Sequence, residues 1–217
     1  MAITGGYALD MSTLERRLRW TFAALVLISL AALVSHIFGI LPMVYFLTYF
    51  GVPSVLLLFW IAAWAKRIDA AVFLNCLAVG LAGGLVGTVM YDLVRLLIHE
   101  SNLVSYNGFK AIYIFGSWIS GHPVDSTQAA IAGWTYHFWN GLAFGVFYTL
   151  AFGRRHWIWC VGYALVIEAL MLGLYPLFIR ITDRVDFIVL SMIGHVCYGL
   201  GLGLVAQKYA RNWSDAA

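Results

Sequence analysis

Six stretches of apolar residues, each long enough to cross a lipid bilayer as a helix, follow one another along the chain at approximately 18–38, 43–65, 71–98, 128–152, 157–179 and 187–207. A hydrocarbon core of about 30 Å takes about 20 helical residues to cross. Within it every backbone N–H and C=O must find a partner inside the protein. The pattern therefore predicts an all-α fold, a polytopic integral membrane helical bundle of about six transmembrane helices. With 217 residues so divided, residues 1–217 read as a single transmembrane domain with no room for a separate soluble one.

The breaks carry helix-ending residues: Gly39 and Pro42, then Lys66, Arg67 and Asp69, then Gly153 with Arg154 and Arg155, then Asp183 and Arg184. None of the six spans shows an obvious interruption. The first run is too long for a secretory leader and lacks a small-residue cleavage site, so it is expected to stay as a helix. Composition settles the class, because 63% apolar and 11% charged residues lie outside the range of water-soluble domains.

The net charge of +3 matters through its placement. With the N-terminus cytoplasmic, Arg16, Arg17, Arg19, Lys66, Arg67, Arg154, Arg155, Lys208 and Arg211 fall inside, against Lys110, Arg180 and Arg184 outside. That bias predicts a multi-pass protein of a cell inner membrane with both termini cytoplasmic. The expected surroundings are the lipid bilayer and a second copy of the chain or a larger membrane complex; nothing points to nucleic acid. Cys76, Cys160 and Cys197 all sit in apolar runs and read as free thiols.

The longest connection, about residues 100–127, contains Tyr106, Phe109, Tyr113, Phe115 and Trp118. It predicts a short interfacial or re-entrant helix on the outer face.

Ionisable side chains at bilayer depth cost several kcal/mol and mark function. Asp92 and Arg95 lie on the third span, His137 on the fourth, Glu168 on the fifth and His195 on the sixth. At 1.5 Å per residue from the outer boundaries, Asp92 is about 9 Å deep, His137 and His195 about 12 Å, and Glu168 about 15 Å. Asn140 and Tyr198 each follow a histidine by three residues, on the same helix face. The pattern H-x-x-x-G-x-x-x-G occurs twice, at His137, Gly141, Gly145 and at His195, Gly199, Gly203. It predicts a hairpin repeat, spans three and four matching five and six, with the glycines bringing spans four and six together.

Two histidines and two carboxylates at one depth are the donor types of an iron, zinc or manganese site. Asp92, His137, Glu168 and His195 are the expected metal ligands. Arg95, Asn140 and Tyr198 are the expected catalytic positions, orienting a lipidic or small apolar substrate with a polar head. The chain so read is a metal-dependent membrane enzyme. The alternatives are a proton- or cation-coupled transporter or solute-binding membrane subunit, a b-type haem protein with His137 and His195 as axial ligands, and a network that only ties the bundle together. No nucleotide-binding, serine-hydrolase or H-E-x-x-H pattern is present.

Overall fold

The computed structural model describes residues 11–213 apart from 102, 105, 182 and 183. Asp183, one of the break residues above, lies outside the described residues. These residues form α1 (Met11–Val26), α2 (Ile28–Ile37), α3 (Met43–Phe46), α4 (Val52–Arg67), α5 (Ala71–Glu100), α6 (Lys110–Ser120), α7 (Thr127–Phe152), α8 (Trp157–Leu174) and α9 (Arg184–Tyr209). The chain is all-helical, with no strand among the described residues.

Five helical stretches are long and apolar enough to cross a membrane: Thr13–Ile37, Met43–Arg67, Ala71–Glu100, Trp157–Leu177 and Arg184–Tyr209. Six spans are therefore not confirmed by this measure. The one that falls short is α7, whose 26 residues suffice in length, but which carries Gln128, Thr135, His137 and Asn140.

Two crossings are interrupted, contrary to the sequence expectation. The first breaks at Leu27, between α1 and α2. The second passes through a π-helical turn at Leu47–Gly51, two residues ahead of Pro53 in the first turn of α4. A proline lacks the N–H of the regular ladder and its ring clashes with the preceding turn, a known origin of such distortions.

At the centre stands α5, flanked by α7 and α9, with α8 packed on α9 and α6 on α7. Glycines set these distances. A Cβ on Gly84 would lie 2.6 Å from the Gly141 carbonyl oxygen, and one on Gly145 would overlap the α5 backbone at Gly80, so α5 and α7 meet backbone to backbone. On α9, a Cβ on Gly199 would lie 2.6 Å from Val161 Cα and one on Gly203 2.8 Å from the Trp157 carbonyl oxygen, both on α8. The paired glycines thus dock α7 on α5 and α9 on α8, and do not bring α7 and α9 together as the spacing alone suggested. Two buried hydroxyls reinforce the close contacts: Thr149 donates to the Cys76 carbonyl at 2.7 Å and Tyr198 to the Gly141 carbonyl at 2.8 Å.

Within the long connection, α6 is tucked against the bundle. A Cβ on Gly116 would overlap the Ala129 carbonyl oxygen, and one on Gly133 the Ile112 carbonyl oxygen. Phe115 and Trp118 then pack inward with Tyr136 and Phe178, and Gly121, at φ +70°, ends the helix in the left-handed conformation. All three cysteines are free.

Candidate functional site

Each histidine singled out in the sequence meets a carboxylate on the apolar crossing that precedes it. His137 Nε2, on α7, stands 3.0 Å from both carboxylate oxygens of Asp92 on α5. His195 Nδ1, on α9, is 3.0 Å from Glu168 Oε2 on α8. The same Nδ1 is also 3.0 Å from the Ser191 carbonyl oxygen, one turn back in α9, and its hydrogen-bond geometry favours that carbonyl. Glu168 is fully buried, and neither of its oxygens has a hydrogen-bond partner among the described residues. The two pairs therefore differ in character. Asp92 is a partly accessible acceptor of a forked contact, whereas Glu168 is a sealed carboxyl group held beside a ring whose proton points elsewhere.

Both rings line one cavity of about 110 Å³. The carboxylates stand behind the histidines and are not part of its wall. Leu30, Leu33, Phe115, Ile167 and Met171 supply apolar surface. Polar atoms come from Tyr91, Tyr136, Asn140, Tyr175 and Tyr198. Tyr91 occupies the space between the histidines, with its ring centroid 5.8 Å from His137 and 5.0 Å from His195, edge-on to the latter. Nothing in the hydropathy pattern marked Tyr91, although its position beside Asp92 on the glycine-lined α5 was a usable signal.

The four expected ligands are thus brought together as two pairs around a tyrosine. Among the described residues no group of three or more His, Cys, Asp and Glu side chains is placed to hold a metal ion. What remains for a ligand is one nitrogen of each ring, Nδ1 of His137 and Nε2 of His195, for which no partner exists among the described residues.

The three expected catalytic positions fare differently. Asn140 lines the cavity, accepts a hydrogen bond from the Ser29 hydroxyl at 2.7 Å and donates to the Tyr136 carbonyl at 3.1 Å. Ser29 lies just beyond the break at Leu27, and its carbonyl accepts from the Tyr136 hydroxyl at 2.9 Å, so the interrupted first crossing is fastened to the site. Tyr198 is in the wall, with its hydroxyl proton committed to Gly141. Arg95 is not in this cavity. It lies beyond Tyr91, over whose ring its guanidinium sits at 4.6 Å, and faces a separate small cavity beneath the loop that carries Tyr106 and Gly108. In that loop, burial raises the Tyr106 phenol above its ordinary value, opposed by Arg95, and leaves a neutral O–H there.

Comparison with known proteins adds one family model, described as a family of unknown function (DUF6789), which matches residues 74–215. No curated protein and no solved structure matches the chain. The matched stretch begins near the start of α5 and contains Asp92, Arg95, His137, Asn140, Glu168, His195 and Tyr198.

Proposed function

For this chain, which belongs to the DUF6789 family of unknown function, we propose an intramembrane binding site for a small, mostly apolar solute or lipid head, which exchanges a proton with its ligand through two histidine–carboxylate pairs. The observation that carries it is the layering of the site. His137 and His195 stand in the wall of one cavity, with Asp92 and Glu168 directly behind them. The tautomers are fixed by Asp92 behind His137 and by the Ser191 carbonyl behind His195, the nearby carboxylates stabilise the protonated rings, and the other ring nitrogen stays free to take or give a proton. Ionisable groups inside a membrane bundle commonly serve such exchange. About 110 Å³ is less than the 150 Å³ of an apolar cavity that accepts benzene, so the ligand portion inside is a few heavy atoms.

The surrounding architecture is proposed as six crossings of a cell inner membrane, α7 included, with both termini cytoplasmic. The excess of arginine and lysine on one side supports it, as does the length of α7. A hairpin repeat is supported by parallel details: each histidine pairs with the preceding apolar crossing, and the glycines four and eight residues on dock against that same helix. Membrane-impermeant thiol labelling of single cysteines at 67 and 125 separates this topology from its inverse.

The test of function is native mass spectrometry of the protein released from its own membrane, together with acid-pulse proton uptake into dye-loaded proteoliposomes. Wild type should carry a small bound molecule or take up protons faster than empty liposomes, and the His137→Ala, His195→Ala double variant should do neither. Identical behaviour of the two proteins in both assays refutes the reading.

A second reading is a metal-dependent enzyme acting on a lipidic substrate, with iron, zinc or manganese held by the free nitrogens of His137 and His195. Its support is the oxygen acceptor on the far nitrogen of each ring, Asp92 for His137 and the Ser191 carbonyl for His195, the usual outer-shell partners of a metal-bound histidine. Elemental analysis of wild type beside the double variant decides it. The haem alternative gains less support, because Tyr91 stands between the rings and the cavity is far smaller than the 300–1,000 Å³ of common cofactor pockets.

A further inference from the structure

Arg95 is only 7% exposed, yet its guanidinium makes no hydrogen bond or ion pair among the described residues, and its Nε is fully enclosed without a partner. Two aromatic rings attend it, Tyr91 at 4.6 Å and Phe109 at 5.0 Å. Ring faces offset part of the cost of burying the charge, but they leave the five N–H donors unused. No carboxylate lines the space these donors face. Asp92, one turn inward, is engaged by His137, and Glu168 by His195.

That space is a cavity of about 10 Å³, walled by Arg95, Tyr106, Tyr175 and Ser191 with Phe187 and Leu190. Gly108 closes it from the loop side, where a Cβ would lie 2.7 Å from Leu190 Cδ2 and 2.9 Å from Nη2 of Arg95. Arg95, Tyr106, Tyr175 and Ser191 line a volume that holds about one water-sized particle. All can donate to an anion, and the charge of the site is positive.

We propose that this cavity is an anion site, in which one monovalent anion of halide size sits between the Arg95 guanidinium and the hydroxyls of Tyr106, Tyr175 and Ser191. Size excludes phosphate and lipid headgroups. Charge favours an anion over water, because a buried cation lacking a counter-charge gains most from one. The inference does not depend on the solute-binding reading: Tyr91 separates this cavity from the histidines, although Tyr175 borders both.

The experiment uses the full chain in detergent micelles, dialysed into sodium gluconate, with thermal unfolding followed by tryptophan fluorescence. Chloride or bromide then replaces gluconate at constant ionic strength. Wild type should show a saturable rise in Tm of about 3 °C at ten times the half-effective concentration, with either halide. Sulfate should have no such effect, and Arg95→Gln should abolish the response. Tyr106→Phe, a milder change, should raise the half-effective halide concentration about fivefold. Chloride-35 line broadening on wild type, reversed by bromide, reads the same site without any variant. Unfolding at one temperature in chloride and gluconate, with no line broadening, means the cavity holds water and overturns the proposal. So does an undiminished halide response in Arg95→Gln.

Discussion

Replacing His195 by alanine isolates the least compensated group in the protein. Glu168 is fully buried, and the His195 ring, 3.0 Å away, is its one ion-pair partner among the described residues. His195→Ala would leave that carboxyl group, already without a hydrogen-bond partner among the described residues, with no ion-pair contact either. Removing one member of a buried pair costs about 3–5 kcal/mol, most of it the penalty of the orphan left behind. The matching change His137→Ala strands Asp92, but that side chain is 16% exposed and can recover some hydration. Its cost should be nearer about 1–3 kcal/mol. Taking away the orphan should undo the damage, so His195→Ala, Glu168→Leu should be more stable than His195→Ala alone by more than about 1 kcal/mol. Equilibrium unfolding in mixed micelles, titrated with dodecyl sulfate and followed by tryptophan fluorescence, measures all four proteins on one scale. The reasoning fails if His195→Ala is no more damaging than His137→Ala, or if the double variant recovers nothing.

Other sites make sharper steric statements. Gly116→Ala should release α6 from α7, because the new methyl overlaps the Ala129 carbonyl, and should expose the 100–127 segment to protease; Gly162→Ala, with nothing within 4 Å, should change stability by less than about 1 kcal/mol. Tyr198→Phe should cost about 1 kcal/mol in the same unfolding assay, through loss of the 2.8 Å bond to the Gly141 carbonyl. Asn75→Ala should loosen the C-terminal segment, since its amide donates to the Tyr209 carbonyl at 3.2 Å and accepts from the Arg211 N–H at 2.7 Å. Faster carboxypeptidase trimming than in wild type would show it, and unchanged trimming would refute it.

The helices were legible because crossing a bilayer demands long apolar runs, which leave an unmistakable trace. The trace is fainter in α7, where the polar residues that build the site dilute the run that positions it. The interruption before Pro53 had a visible cause in the proline, but the one at Leu27 had none in its immediate neighbours; the fastening of Ser29 to Tyr136 and Asn140 comes from residues more than 100 positions away. Depth counting brought Asp92, His137, Glu168 and His195 to one region, since rise per residue is a property of every helix. The hairpin repeat added the pairing of Asp92 with His137 and Glu168 with His195, but neither argument could place Tyr91 between the histidines, because rotation about the helix axis depends on which glycine meets which backbone. The partners of Gly141 and Gly199 lie on α5 and α8, and a repeat of spacing says nothing about the surface each copy faces. Arg95 was grouped with Asp92 for being one turn away, yet the Tyr91 ring divides them into two cavities.

Because Glu168 arrives on α8 and its partner on α9, the order of synthesis acquires a meaning. A chain made from its N-terminus delivers α8 before α9 exists, and for that interval the carboxyl group has no imidazole beside it. The contacts of Gly199 and Gly203 with α8 offer a way out, since two helices that fit so closely can enter the bilayer as a hairpin already carrying its matched polar pair. Leu30 and Leu33, on the first crossing, are by then in place. The arrival of α9 thus completes the cavity, and a chain truncated before His195 should be handled by the cell as unfinished.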